Sequence, residues 1–372
     1  MKIAILGTRG IPNNYGGFEQ LAQFLSLGLL AKGHHVYVYC SSRHAYQEKE
    51  WQGIHLIHQK DPEDRLGTAG QFIYDLNCIR DSRNRNFDVI LNLGYTSSSV
   101  WMNLFPKLTK VITNMDGLEW KRSKYSRKVQ KFLLFAEKLA VRKSDALVAD
   151  SKAIQVYLQE KYGIVSTFIA YGAEIFRDPD QSCLAAFQLK PYAFDLLIAR
   201  MEPENNIEVI LDGVVKSKST RPFLVVGNPE NKFGLYLKNK FKEEKRILFM
   251  GSIYDTKVID NLRHYANLYF HGHSVGGTNP SLLEAMGCHS LICAHDNVFN
   301  KSILGPDAFY FSNARQVADR LDATNTREQG ASYLQANLAK IRESYSWSHI
   351  IEQYESLMLS QFAVSKEENA KN

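Results

Sequence analysis

The chain of 372 residues carries only five cysteines, Cys40, Cys78, Cys183, Cys288 and Cys293, and no Cys-x-x-Cys pair. An odd, scattered set excludes a disulfide framework and suits a reducing compartment. Long apolar runs are also missing. The longest nearly unbroken one, Phe24–Ala31, falls far short of the ~20 residues a helix needs to span a bilayer. Met1–Leu6 leads straight into a strand pattern, so no secretory signal is expected. The chain has no Gly-Lys-Ser/Thr, which excludes a Walker-type triphosphate cradle. Asp-x-Asp is absent from the segments that follow the strands around the expected ligand crevice. His271, His273, His289, His295 and Cys288 lie close in sequence but form neither a His-x-x-x-His nor a Cys-x-x-Cys array, and no metal is expected.

What is present suits a water-soluble globular chain of two domains: 45% hydrophobic residues and a length too great for one ordinary core. The net charge of +6 is modest, and no nucleic-acid partner is expected. Its placement says more. Lys121–Lys131 (KRSKYSRKVQK) holds six cations among eleven residues and no acid. Such a run either attracts anionic lipid headgroups or a pyrophosphate-bearing substrate, or is a solvated helix face.

Short β-rich runs alternate with longer helical patterns. KIAIL, HVYVY, IHLI, DVILNL, KVITNM, DALVAD and STFIAY read as strands, with helices expected over Phe18–Ala31, Ala69–Arg83, Ser126–Arg142 and Ser151–Tyr162. Several strands lack polar alternation, as expected where helices cover both faces of a parallel sheet. A first doubly wound α/β domain is therefore expected over residues 1–174. Glu174–Cys183 (EIFRDPDQSC) reads as a linker. A second α/β series, over residues 184–346, runs through YAFDLLIA, RPFLVVG, RILFMG, NLYFHG, SLICA and AFYF. Its helices are expected at Asn231–Phe241, Lys257–Tyr265 and Pro280–Gly287. Two successive Rossmann-like domains with a ligand crevice between them follow from this order.

The first strand opens onto LGTRGIPNNYGGFEQ, a glycine-rich turn ahead of a helix. Its spacing is longer than Gly-x-Gly-x-x-Gly, and the second strand ends without the acidic residue that would hold a ribose, so a dinucleotide fingerprint is excluded. Gly16 and Gly17 are expected to let a helix N-terminus approach an acceptor or a donor phosphate; a flexible connector is the alternative. In the second domain, HGHSVGGTNPSLLEAMGC runs from strand through glycines into a helix. Gly276, Gly277 and Thr278 precede that helix, where free amides and the helix dipole suit a phosphate. Glu284, one turn in, is placed to accept from ribose hydroxyls. His271 and His273 are expected to line the same pocket.

GGTNPSLLEAMGC resembles the retaining nucleotide-sugar glycosyltransferases of family four, which have the GT-B fold of two Rossmann-like domains facing a central crevice. Glu284 matches the second of that family's two glutamates, and Gly276 stands where the first would be. IARMEPENNIE resembles the family's donor-diphosphate segment: Arg200 matches its arginine and Glu204 its glutamate, while Asn205 replaces its lysine. NMDGLEWKRSKYS, the EPENN form and the GTRGIPxxYGGFE opening together resemble a narrower branch, the bacterial rhamnosyltransferases that build polysaccharide on a lipid carrier.

The resemblance implies a final helix, about residues 347–362, that crosses back to the first domain. It implies dTDP-rhamnose as donor, a polyprenyl-pyrophosphate-linked saccharide as acceptor, and no cofactor or metal. It also implies a cytoplasmic protein held at the inner face of the plasma membrane through residues 121–131. Asp116, at the end of a strand, is the first candidate for binding or polarising the acceptor hydroxyl, with Glu119 as the alternative acid; a plain Asp-Gly turn is the bland reading. Lys121 and Arg122 would hold the acceptor pyrophosphate or counter the leaving group, and Trp120 would stack on a sugar face. Arg200 and the Gly276–Thr278 amides would stabilise the departing diphosphate while the acceptor attacks on the same face. Alternatives are a UDP- or GDP-hexose donor on the same fold, a nucleotide-sugar 2-epimerase, and a sugar-nucleotide binder without turnover.

Overall fold

The computed structural model describes every residue except Tyr15, Ser123, Lys124, Asn325 and Asn372, and the main chain alone over Ser365–Lys371. Three positions of the motifs above, Tyr15 of the opening loop and Ser123 and Lys124 of the basic run, therefore lie outside the described residues. The chain divides into two compact units, Met1–Tyr171 with Trp347–Asn372, and Gly172–Ser346.

The first unit is built on eight strands: β1 (Lys2–Leu6), β2 (His35–Ser41), β3 (Glu50–Trp51), β4 (Ile54–Gln59), β5 (Val89–Leu93), β6 (Lys110–Asn114), β7 (Ala146–Ala149) and β8 (Thr167–Phe168). They form one sheet in the order β3-β4-β2-β1-β5-β6-β7-β8, parallel except for β3, which makes a small hairpin with β4. β5 is buried at every position, as its unbroken apolar run requires of a strand covered on both faces. One core gathers Ala4, Leu6, Tyr39, Tyr74, Ile79 and Ile90, among others, on one side of the sheet. Helices start where the sequence supplies caps: Ser126 accepts from Val129 N and Ser151 from Ile154 N.

The long C-terminal helix, Trp347–Lys371, returns to this unit and packs along the helix Gly17–Ala31. Gly28 makes that approach close, since a Cβ there would stand 2.4 Å from Ile351 Cδ1. The rings of Phe24 and Trp347 stack at 4.4 Å, and Glu355 pairs with Lys32 at 2.8 Å and with His34 at 3.0 Å.

The second unit carries β9 (Asp195–Ile198), β10 (Phe223–Val226), β11 (Ile247–Gly251), β12 (Tyr269–His271), β13 (Ile292–His295) and β14 (Phe309–Phe311). Their order, β11-β10-β9-β12-β13-β14, is wholly parallel. Both sheets run outward from their first strand and reverse, so each has a topological switch point: β1/β5 in the first, β9/β12 in the second. In open sheets of this kind, ligands bind beyond the strands' carboxyl ends at that point.

The stretch expected as a linker, Glu174–Cys183, is instead part of the second unit. Phe176 N donates to Gly287 O at 3.0 Å and Asp180 N to Asn261 Oδ1 at 2.7 Å. Its charges and proline made it read as exposed coil, but its backbone groups are paired with the unit's own helices.

Candidate functional site

At the β9/β12 switch point, two turns meet. The turn after β9 leaves Arg200 exposed, passes through a short 3-10 turn at Pro203–Asn205, and enters the helix Ile207–Lys216 at Asn206, a residue in the left-handed region. The loop after β12 runs through His273 and Ser274 to Thr278, then into the helix Pro280–Gly287. Three hydrogen bonds join them: Ser274 N and Ser274 Oγ donate to Glu204 O at 3.1 and 2.7 Å, and Asn206 Nδ2 donates to Gly272 O at 2.8 Å. Arg200, Glu204, Asn205, His273 and Gly276–Thr278, chosen from separate motifs, thus sit on one ledge.

Their individual roles differ from a simple ring of ligands. The Arg200 side chain has no hydrogen-bond partner among the described residues and is available to an anion. Asn205 is buried and donates from Nδ2 to Arg200 O at 2.8 Å, so it shapes the arginine turn instead of standing in for a lysine toward a diphosphate. Glu204 is buried as well, its carbonyl spent on Ser274. The amides of Gly276 and Gly277 donate to no group among the described residues, and the space beside the Gly276 α-carbon is open. In the helix that follows, Pro280 lacks an N–H and Ser281 N is taken by Asn279 Oδ1 at 3.0 Å. An anion here would therefore be held by the loop amides, with the helix adding its dipole and not its first-turn donors.

Glu284 is not simply poised in solvent. It forms an ion pair with Arg263, a guanidinium only 5% exposed that also donates to Asp260 at 2.9 Å. The His273 ring stacks at 4.4 Å on that of His271, which is fully buried. Burial drives the His271 pKa far down, with His273 adding to the shift, so His271 is neutral and supports the His273 ring from beneath.

In the first unit, β6 delivers Asp116 at its carboxyl end, in the left-handed region at φ 51°, with Gly117 next. The turn Glu119–Lys121 follows. Glu119 and Arg122 pair with each other at 2.6 Å, so a substrate group reaching either would compete with this ion pair. Trp120 is pinned, its Nε1 donating to Tyr157 OH at 3.2 Å and the ammonium groups of Lys121 and Lys161 each 5.4 Å from its ring. With Leu134, Lys138, Tyr157, Lys161 and Tyr162 it lines a cavity of about 670 Å³. Lys121, Arg127, Lys128 and Lys131 of the basic run are exposed.

The opening glycines resolve differently from the expectation. Gly16 has φ 127°, and a Cβ there would lie 2.1 Å from Glu19 Oε2. Glu19 turns back from the first turn of its helix and accepts from Arg9 N at 2.9 Å and Thr8 Oγ1 at 3.3 Å. What Gly16 admits so closely is the chain's own carboxylate. Gly17 begins the helix behind it. A second anion at this loop would compete with Glu19.

Several groups escaped the sequence reading. Glu137 is 1% exposed and accepts from Lys161 Nζ and Tyr157 OH at 2.8 Å and from Tyr162 OH at 2.6 Å. Its signal was present: Leu133, Ala136, Glu137 and Ala140 fall on one buried helix face. Tyr95 follows β5 at the first switch point, and its buried hydroxyl has no partner among the described residues. Burial raises its pKa, with Glu137, Glu119 and Asp116 adding to the shift. Among the described residues no group of three or more His, Cys, Asp or Glu is arranged to hold a metal, and no helix is long and apolar enough to cross a membrane.

A family model described as a domain of unknown function, DUF1972, matches residues 1–174. Comparison with curated proteins gives no match. Among solved structures, the chain is similar to a sucrose-phosphate synthase from Thermosynechococcus elongatus, with TM-score 0.79 and 16% identity over 98% of this chain and 99% of that one. It is similar to HepE of Anabaena in complex with UDP and glucose, with TM-score 0.76 and 15% identity over 97% and 100%. An E. coli trehalose-6-phosphate protein bound with UDP-2-fluoro glucose gives TM-score 0.71 and 11% identity over 96% and 99%. At such identities the likeness establishes the fold: two parallel-sheet α/β domains of the GT-B kind.

Proposed function

We propose that the chain is a retaining glycosyltransferase that binds a nucleoside-diphosphate sugar at the β9/β12 switch point and moves the sugar to a hydroxyl acceptor. The observation that carries this reading is that the Arg200 guanidinium and the amides of Gly276 and Gly277 lie on one ledge, with no partner for any of them among the described residues. An arginine fork and a backbone nest both suit the oxygens of a diphosphate, and both gain strength as negative charge grows on a leaving group. No metal is required in this scheme. His273 and Glu284 are assigned to the sugar and ribose, with Glu284 held in orientation by Arg263. Asp116 is assigned to the acceptor hydroxyl, as its polariser or proton acceptor.

The motif resemblance makes L-rhamnose from dTDP-rhamnose the first choice of donor, and a saccharide on a polyprenyl pyrophosphate the first choice of acceptor. The exposed cations Lys121, Arg127, Lys128 and Lys131 support contact with an anionic membrane surface at its cytoplasmic side. A UDP-hexose donor is the second reading. It is favoured by two structural neighbours whose complexes hold UDP with glucose and UDP-2-fluoro glucose. The deciding experiment offers dTDP-rhamnose, UDP-glucose and GDP-mannose, each with a synthetic lipid-pyrophosphate N-acetylglucosamine, and reads products by mass spectrometry. A rhamnosylated lipid supports the first reading and a glucosylated one the second. Epimerised donor without transfer, or no turnover of any donor, overturns the transferase assignment.

A further inference from the structure

The turn that bears Asp116 is held from the far end of the chain. Asp116 N donates to Asn114 Oδ1 at 2.9 Å, and Asn114 Nδ2 donates to Tyr354 OH at 2.9 Å. Asn114 is 1% exposed and Tyr354 fully buried, so water does not compete for the bond between them. Asparagine does here what neither aspartate nor leucine can: its amide accepts from the main chain and donates to a phenol at once. The bond it gives Asp116 matters because φ 51° is a minority conformation even for an aspartate, one of the few non-glycine residues that visit it, and the Asn114 amide helps to select it. Tyr354, 240 residues beyond Asn114, lies on the C-terminal helix whose packing along Gly17–Ala31 is fixed by Gly28, Ile351 and the Glu355 ion pairs.

We propose that Asn114 and Tyr354 are positioning residues: through them the returning helix sets the Asp116 turn and so aims its carboxylate at the acceptor hydroxyl. The proposal rests on the assignment of Asp116 to the acceptor. It gives the C-terminal helix a role in acceptor chemistry beyond packing, and it requires no contact between Tyr354 and substrate.

The test compares the full chain with Tyr354→Phe, Asn114→Ala and Asp116→Asn, alone and combined, in the transfer assay and by amide hydrogen exchange over residues 115–119. Tyr354→Phe removes one oxygen and keeps the ring, so it carries the test if Asn114→Ala fails to fold. The expected result is a kcat lower by about tenfold or more with the donor KM unchanged, and no further loss when either change is added to Asp116→Asn. Exchange of the 115–119 amides is expected to quicken while β1 and β5 keep their protection. Unchanged kcat and unchanged exchange in Tyr354→Phe overturn the proposal and leave Asp116 standing. Full activity of Asp116→Asn overturns the Asp116 assignment and the proposal with it, even where exchange quickens. A loss that multiplies fully with that of Asp116→Asn also overturns it, because the two residues would then act apart from Asp116.

Discussion

Asp75→Asn is expected to remove one contribution to the pH dependence of stability. Asp75 is 5% exposed on the helix Ala69–Ser82, accepts a hydrogen bond from Ser97 Oγ, and lies in the field of Arg9 and Asp61. Burial raises its pKa from 3.8 to about 7, against the opposing pull of Ser97 and Arg9. The sign follows from proton counting. Between these two values the native state keeps a proton that the unfolded chain has released, so stability is fullest below pH 3.8 and declines until the native carboxyl ionises near pH 7. At about 1.4 kcal/mol per pKa unit, the decline is at most ~4 kcal/mol. An asparagine keeps an acceptor for Ser97 but brings a buried amide with a donor to satisfy, a cost of about 1–3 kcal/mol at every pH. Near pH 5, where the parent has already given up about 1.6 kcal/mol through that decline, the variant should lie within about 1.5 kcal/mol of the parent. Near pH 8 it should equal or exceed the parent, the difference between the two having shifted by up to ~2.7 kcal/mol from its value at pH 5, because the decline between pH 3.8 and pH 5 is already complete there. For a unit of this size that is a relative Tm shift of roughly 5–11 °C, readable by scanning calorimetry of both proteins at the two pH values. A variant-minus-parent difference that is the same at both would refute the reasoning, because it would mean that Asp75 is already ionised in the folded protein at pH 5.

Other outcomes follow from single contacts. Gly16→Ala should destabilise the first unit by about 1–3 kcal/mol, since its Cβ meets Glu19 at a left-handed backbone position, and Glu19→Ala should relieve part of that loss in the double variant; urea unfolding measures both. Glu137→Ala leaves Lys161 and two tyrosine hydroxyls without their shared acceptor and should cost about 3–5 kcal/mol in the same assay, with Glu137→Gln costing less. Arg200→Ala should weaken nucleoside-diphosphate binding by roughly tenfold or more in calorimetric titration without altering Tm, since the side chain makes no bond to any of the described residues, and Arg200→Lys should recover only part of it.

The arrangement of strands was legible because its determinants are local. Buried parallel strands such as VILNL need unbroken apolar runs, and the serine and asparagine caps mark where helices begin. The glycines of GTRGIPNNYGGF point to a close approach, and the approach that the structure shows at Gly16 is to Glu19, another residue of the same motif. Arg200 and Gly276 could be placed on one ledge from sequence only by knowing the order of β9 and β12; the bonds from Ser274 and Asn206 that join their turns are set by folding. The Glu119–Arg122 pair, three residues apart, was readable in principle but was passed over in favour of ligand roles. Asn114 and Tyr354 were not readable at all. Nothing local in KVITNM or in the final helix tells that an amide and a phenol 240 positions apart will meet.

The central claim, that the β9/β12 ledge receives the diphosphate of a nucleotide sugar, is most directly tested by hydrogen exchange of the full chain with and without saturating dTDP-rhamnose, and separately with UDP-glucose. The account predicts that at least one of the two slows exchange at residues 200–206 and 272–279, most strongly at the Gly276 and Gly277 amides, and that Arg200→Ala raises the ligand concentration needed for this protection by roughly tenfold or more. Saturable binding that leaves those amides unprotected, or protection confined to the Gly10–Gly17 loop, would contradict it.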